Sequence, residues 1–241
     1  MILFSDFDNT IYYRKDVEKT NENIQAIKAW RANGNRFVVT TGRPPLFIQE
    51  QAIEIGLEYD YIIGSTGAVI VDSNLNPLYE SFLAQSDVEG LKNYFSQLKN
   101  MKEFNFHMLH SYGPNIKEKP YQSIVFHDDS ELLEKINHYI NTGQQNPFNE
   151  NLITQNIYCN FDSGVLAMLN NGESKAKAVR ILINKLGMSS DQIYTVGDGN
   201  NDLDLVSEFE NGFAVSNASE MLLSVKHKKC DTVASLIRKL I

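Results

Sequence analysis

The chain has 241 residues, 42% hydrophobic and 22% charged, with a formal charge of -8. Those proportions fit one large globular domain or two modest ones, and the acidic balance argues against nucleic acid or an anionic membrane as the main partner. Cys159 and Cys230 lie far apart with no C-x-x-C, so neither a zinc site nor a redox motif is expected, and both read as reduced thiols. The opening "MILFSDFD" carries no basic region followed by a long apolar run, and no stretch approaches a membrane span. A cytoplasmic protein is therefore expected. Without a secretory signal, Asn217-Ala218-Ser219 reads as a chance match to a glycosylation acceptor.

In chain order, "ILF" predicts a short buried strand that ends abruptly at Asp6 and Asp8. "NENIQAIKAWRANG" has helical spacing of Ile24, Ile27 and Trp30, with Gly34 as its stop. "RFVVTTG" predicts a second strand ending at Thr41 and Gly42, and "PPLFIQEQAIEIG" a helix opened by prolines and closed by Gly56. "YDYIIGSTG" predicts a third strand with a glycine-rich end, and "AVIVDSNLNPLYE" a hairpin. The middle, from about residue 82 to 169, is richer in Asn, Gln, Tyr and Phe. There "EFNFHML", "YQSIVFH" and "GVLAML" read as strands, and "DVEGLKNYFSQLKN" and "SELLEKINHYIN" as amphipathic helices. The strand–helix alternation then returns with "SKAKAVRILINKLG", "IYTVGDG", "NDLDLVSEF", "GFAV" and "TVASLIRKLI". The prediction is an α/β fold: a doubly wound, Rossmann-like parallel sheet made by residues 1–81 and 170–241, with an α+β module at 82–169 inserted into it.

Ligands of an open parallel sheet bind at the carboxyl ends of its strands. Asp6 and Asp8 end one strand, Thr41 another, and Asp198 and Asp202 follow a third. Four carboxylates converging on one crevice need a cation, and oxygen ligands without a histidine cluster point to Mg²⁺. The Thr41 hydroxyl and the Thr41-Gly42 amides suit phosphate oxygens, as does Lys175 at a helix start. Together these are parts for stabilising a phosphoryl group in transfer.

The ordered set Asp6-x-Asp8-x-Thr10, Thr41, Lys175 and Gly197-Asp198-x-x-Asn201-Asp202 resembles the four motifs of the haloacid dehalogenase (HAD) superfamily. The large insert after "IIGSTGAVIVD" resembles that of its Cof-type hydrolase branch. The resemblance spans nearly the whole chain and makes the inserted module a cap domain. It implies that Asp6 attacks phosphorus and that Asp8 protonates the leaving oxygen and then activates water. It implies that Thr41 and Lys175 hold the phosphoryl oxygens. Mg²⁺ would sit on Asp6, the Asp8 carbonyl and Asp198, with Asp202 beside them orienting Lys175 or a water on the ion, and Asn201 assisting. Thr10 either braces the turn after the first strand or touches phosphate. Gly42 lies at the phosphate, and Arg43 either binds it or stays at the surface. Two departures from the family pattern are Asn9, where many relatives carry glycine, and Thr66, where the branch often carries asparagine on the substrate side. The second leaves the leaving group open.

The expected activity is Mg²⁺-dependent hydrolysis of a small phosphorylated metabolite, a sugar phosphate first, through an aspartyl-phosphate, by a monomer or weak homodimer. A phosphomutase, a phospho-accepting regulatory protein and a ligand-binding protein with an idle site are the alternatives. "FHDDS" at 126–130 invites a second metal site from His127, Asp128 and Asp129, but a polar loop before a helix explains it, and His107 and His110 read as packing or surface residues.

Overall fold

A computed structural model of the chain describes residues 1–99, 107–111, 119–148, 152, 156–162, 164–225 and 228–241. In chain order its elements are β1 (Ile2–Ser5), α1 (Val17–Ala32), β2 (Arg36–Thr40), α2 (Pro45–Ile55), β3 (Tyr61–Gly64), β4 (Val69–Asp72) and β5 (Pro77–Glu80). Then come α3 (Gln85–Lys99), β6 (His107–Ser111), β7 (Gln122–Phe126), α4 (Ser130–Thr142), β8 (Ile157–Asp162) and β9 (Val165–Asn170). The chain closes with α5 (Lys175–Leu186), β10 (Ile193–Gly197), α6 (Leu203–Ser207), β11 (Asn211–Val215), α7 (Glu220–Val225), β12 (Lys229–Cys230) and α8 (Val233–Leu240). These form two compact units: Met1–Tyr79 with Ser174–Ile241, and Glu80–Glu173.

The first unit is built on a sheet of order β12-β11-β10-β1-β2-β3-β4-β5. Strands β12 to β3 run parallel, and β4 turns back antiparallel on β3. From β1 the chain winds outward through β2 and β3. It later returns on the other side of β1 through β10, β11 and β12. The reversal of winding lies between β1 and β10, and sheets of this kind bind ligands there, at the carboxyl ends of the strands. β1 is buried along its whole length, and side chains alternate across the sheet. Ile2 and Phe4 join Val38, Ile63, Val179 and Leu182 in a core under α5. Leu3 pairs with Tyr194 in register, and the Tyr194 ring meets Trp30 of α1 on the opposite face. Helices therefore cover both faces, as a parallel sheet requires.

Helix limits follow local chemistry. α1 starts a turn earlier than its apolar spacing predicts, because the Asp16 side chain accepts from the Lys19 amide at 2.9 Å and caps it. α5 is capped by Ser174, whose hydroxyl accepts from the Lys177 amide at 3.2 Å, and it ends on Gly187 at φ 63°.

The second unit has an antiparallel sheet, β6-β7-β9-β8. Its core joins Leu91, Tyr94 and Phe95 of α3, Leu133 and Ile136 of α4, and Val125, Leu166 and Met168 of the strands. Phe104 and Phe106 of the predicted first strand lie outside the described residues, which resume at His107. β8 was not expected, although Ile157, Cys159 and Phe161 alternate with Tyr158, Asn160 and Asp162. Flanking Asn and Gln disguise that period. The two-residue β12 and the short α7 are also new, being too short to show periodicity. In "FHDDS", Asp129 caps α4 by accepting from the Leu132 amide at 2.9 Å, and His127 Nδ1 accepts from the Asp129 amide. Among the described residues they do not group as metal ligands. His110 Nδ1 bonds the Ser123 hydroxyl at 2.9 Å inside this sheet.

Candidate active site

The site sits at the reversal point of the first unit. The Asp6 amide donates to the Val196 carbonyl at 2.9 Å, continuing the β1–β10 pairing by one residue. That bond sets Asp6 at a defined height against the turn after β10. Lys175, the first residue of α5, is fully buried. Its Nζ donates to Asp6 Oδ1 at 2.7 Å and to Asp202 Oδ1 at 2.5 Å. Asp202, also fully buried, accepts through Oδ2 from the amides of Asp198 and Gly199, each at 3.0 Å. Its carboxylate thus fixes the Asp198 turn and Lys175 together. Gly197 makes room for it: a Cβ there would stand 2.5 Å from the Asp202 side chain. Asp198 Oδ1 accepts from the Thr10 hydroxyl at 2.8 Å.

One oxygen each from Asp6, Asp198 and Asp202 lie within 4.8 Å of one another. Three carboxylates and one ammonium leave a formal charge of -3 + 1 = -2 in a buried place. The electrostatics register the imbalance. Burial, then Asp202, raises Asp6 well above the usual carboxylate range, and Lys175 opposes this without cancelling it. Burial and Asp202 push Asp198 up to about 6, against the bonds and charge of Thr10 and Lys175. Burial pulls Lys175 down, but its two carboxylate partners outweigh it and hold the ammonium charged. A divalent cation on oxygen ligands would balance the surplus, so these residues fit Mg²⁺.

Asp8 stands apart from this cluster. Its carboxylate takes a two-bond fork from Arg43, Nε to Oδ2 at 2.7 Å and Nη2 to Oδ1 at 2.8 Å. Both side chains are about 40% exposed, at 39% and 41%. The guanidinium lies over the Phe47 ring at 4.3 Å. Arg43, expected either at phosphate or at the surface, pairs with Asp8 while its side chain stays 41% exposed. A two-hydrogen-bond fork needs two side chains far apart in sequence, so spacing could not disclose it. The Asp8 side chain is likewise absent from the acid cluster, which leaves only its carbonyl as a candidate ligand.

Thr41, nearly fully buried, directly follows β2. Its hydroxyl oxygen accepts from the Arg43 amide at 3.1 Å, so the hydroxyl proton points elsewhere. Gly42 follows it, with the Thr66 hydroxyl 3.5 Å from where a Cβ would stand. Thr10 is buried, and its proton, directed to Asp198, ties the turn after β1 to the turn after β10. Asn201 lies between Asn200 and Asp202 in the turn that carries Asp202, partly exposed.

The "STG" stretch contributes something not foreseen. Ser65, Thr66 and Gly67 all have left-handed backbone, with φ of 48°, 55° and 99°. The Thr66 amide donates to the Thr41 carbonyl at 3.0 Å. A Cβ on Gly67 would stand 2.2 Å from the Ser174 carbonyl oxygen. This turn therefore packs backbone to backbone against the start of α5, at the residue before Lys175. A non-glycine residue held left-handed is costly, more so a β-branched one, and such strain gathers at functional sites.

Comparisons with known proteins give the family and the fold. Residues 3–235 match the model of a family described as haloacid dehalogenase-like hydrolase. A Bacillus subtilis protein named 5-amino-6-(5-phospho-D-ribitylamino)uracil phosphatase YcsE is 25% identical over 239 residues, covering 94% of this chain and 88% of its own. An uncharacterized protein of Mycoplasma capricolum is 27% identical, covering 86% and 87%. Among solved structures, the HAD-superfamily phosphatase BT1666 of Bacteroides thetaiotaomicron superposes with a TM-score of 0.76 at 19% identity, over 99% of this chain and 93% of that one. The subclass IIB sugar phosphatase BT4131 gives 0.72 at 16% identity, over 99% and 97%. At those identities the structures attest the fold, and the family match attests the lineage. The carboxylates gathered where the winding of the sheet reverses thus belong to a member of the haloacid dehalogenase-like hydrolase family.

Proposed function

We propose that this hydrolase is a Mg²⁺-dependent phosphatase acting on a small-molecule phosphate monoester, with a sugar or sugar-alcohol phosphate as the first class to test. The observation that carries the reading is the cluster of buried Asp6, Lys175 and Asp202 with partly exposed Asp198, whose formal surplus is two negative charges. The substrate class is supported by a relative that acts on a phosphoribityl compound and by a structural neighbour that is a sugar phosphatase.

Asp6 attacks phosphorus, the ester P–O bond breaks, and the phosphoryl group passes to the Asp6 carboxylate. Asp8 gives its proton to the departing oxygen, then takes one from the water that attacks the aspartyl-phosphate and releases inorganic phosphate. Lys175 and the Thr41 hydroxyl hold the phosphoryl oxygens as charge builds on them. Asp6, Asp198 and the Asp8 carbonyl would hold Mg²⁺, which when bound supplies positive charge to those oxygens. Asp202 keeps Lys175 and the Asp198 turn in register, because both of its oxygens are engaged by the protein.

The Arg43 fork adds a condition. A protonated carboxyl spends one oxygen on its own hydrogen and cannot accept both fork bonds as before. Asp8 therefore has to part from Arg43 before it acts as an acid, and an arriving anion competes for the same guanidinium. The inserted unit, Glu80–Glu173, is assigned to the choice of leaving group, as a cap.

The test is phosphate release from a panel of phosphorylated sugars, sugar alcohols, nucleotides and flavin phosphates, with Mg²⁺ and with EDTA, for wild type and Asp6→Asn. Metal-dependent release that vanishes in Asp6→Asn supports the reading. Release that persists in the variant overturns the mechanism, and no release from any compound overturns the function.

A further inference from the structure

Asn217-Ala218-Ser219 matches none of the four motifs, and as a glycosylation acceptor it had no role. In the structure it forms the loop between β11 and α7, and it reaches both turns that carry the acids. Asn217 Nδ2 donates to the carbonyl of Asn9 at 2.9 Å. Its Oδ1 accepts from the Tyr13 hydroxyl at 3.1 Å and from Lys19 Nζ at 3.5 Å. Lys19 Nζ also lies 4.0 Å from the centre of the Tyr13 ring, which ties these three side chains into one group. Two residues on, the Ser219 amide donates to the carbonyl of Asp198 at 2.8 Å. Its hydroxyl donates to Asn200 Oδ1 at 2.6 Å. Between them Ala218 is buried, and its amide donates to the Val215 carbonyl at 3.0 Å, anchoring the loop to the end of β11.

Asn9 is a residue whose backbone needs such help. It follows Asp8 directly and has φ 54°, where relatives with glycine have no side chain to strain. A left-handed non-glycine residue persists when its surroundings over-determine it. The Asn217 amide is one such determinant, and it acts on the peptide next to the Asp8 carbonyl.

We infer that Asn217 and Ser219 are positioning residues: one loop sets the spacing between the Asp8 turn and the Asp198 turn, and so the spacing of the groups that would hold Mg²⁺. The inference rests on the function proposed above. It extends the site to β11, and it explains how Asn9 works where a glycine is customary.

The test measures Mg²⁺ affinity by calorimetric titration with Mg²⁺ alone, and kcat and KM with the best substrate of the panel. Asn217→Ala is expected to weaken Mg²⁺ binding by about 10-fold and to lower kcat similarly, with KM nearly unchanged. Asn217→Asp keeps the size but replaces the donor by a negative oxygen facing the Asn9 carbonyl. It should weaken Mg²⁺ as well, whereas a mere added charge would tighten it. Tyr13→Phe removes one of the two donors to Oδ1 but keeps the bond to Asn9, so its effect should be smaller, about 3-fold. Lys28→Ala, on an exposed stretch of α1, is the control and should match wild type. Unchanged Mg²⁺ affinity and kcat in Asn217→Ala, or tighter Mg²⁺ in Asn217→Asp, overturns the inference while the function stands. A wild-type protein that neither binds Mg²⁺ nor releases phosphate overturns the function, and the inference with it.

Discussion

Two ion pairs in this hydrolase carry opposite designs. Lys175 is sealed between Asp6 and Asp202 with no exposure, and Asp202 is itself held by two main-chain amides. The Asp8–Arg43 pair, on strands and loops of the same unit, is about 40% exposed on both sides. A buried pair is hard to open, because separating it strands an unpaired charge in a poor dielectric. A half-exposed pair opens cheaply, because water replaces what is lost. The proposed chemistry asks for both. Charge that develops on phosphoryl oxygens is best met by groups that do not move. A proton carrier must change partners twice in a cycle.

The comparison can be broken in ways that rank by their effect on stability. Lys175→Ala should cost the most, about 3–5 kcal/mol, since it leaves buried carboxylates facing one another without their cation. Thermal unfolding of the metal-free variant should fall by roughly 10 °C for a protein of this size, and turnover should vanish. A melting temperature within 2 °C or so of wild type would show the pair to be far less buried than described.

Gly67→Ala strikes the support of that lysine. The new Cβ would stand 2.2 Å from the Ser174 carbonyl, at a backbone φ of 99°. A loss of about 2–3 kcal/mol is expected, together with loss of activity, because α5 must back away from the turn. Denaturant unfolding checks the first effect and phosphate release the second. Gly34→Ala is the comparison, since it has a similar left-handed φ of 77° but open space around it. It should cost only about 1 kcal/mol and spare activity.

The pH dependence sharpens the same picture. Asp198 is raised from 3.8 to about 6, and Asp6 is raised too, so the folded protein binds protons more tightly than the unfolded chain. The Asp198 part of this contribution to stability is fully present below about 4 and is lost as pH rises through about 6. Metal-free protein should therefore lose a few degrees of melting temperature across that window. Mg²⁺ needs the ionised carboxylates, so the stabilisation it brings should grow over the same window. Differential scanning in EDTA and in Mg²⁺ measures both slopes. A flat EDTA profile would mean that the acids are not crowded.

The smallest change in stability belongs to the exposed pair. Arg43→Ala and Asp8→Asn should each shift unfolding by under about 1 kcal/mol. Yet Asp8→Asn should lower kcat by about 10²–10⁴-fold, as the loss of an acid–base group does. If Asp8→Asn destabilised the fold as much as Lys175→Ala does, the contrast between the two pairs would be void.

Much of this was legible in the residues. β1 reads as "ILF" ending in Asp6 because a buried parallel strand needs consecutive apolar side chains, and the acids follow at the carboxyl end where the ligand crevice opens. The start of α5 is written by Ser174 as its cap and by the apolar spacing after Lys175. β8 was missed although its alternation is present, because Asn- and Gln-rich flanks hide it. β12 has only two residues and no period at all.

The sequence by itself determined the alternation of strands and helices, the inserted α+β segment and the set of acids, hydroxyl and lysine that share one end of a sheet. Those features are local: they follow from apolar periodicity, caps, and the rule that crossover connections place successive strand ends side by side. Tertiary structure alone decided which remote partners the polar groups around the site take. Arg43 pairs with Asp8, 35 positions away, Thr10 braces Asp198, 188 away, and Asn217 reaches Asn9, 208 away. Such pairings depend on distances of a few ångströms between elements remote in the chain, and a periodic pattern holds no record of those distances.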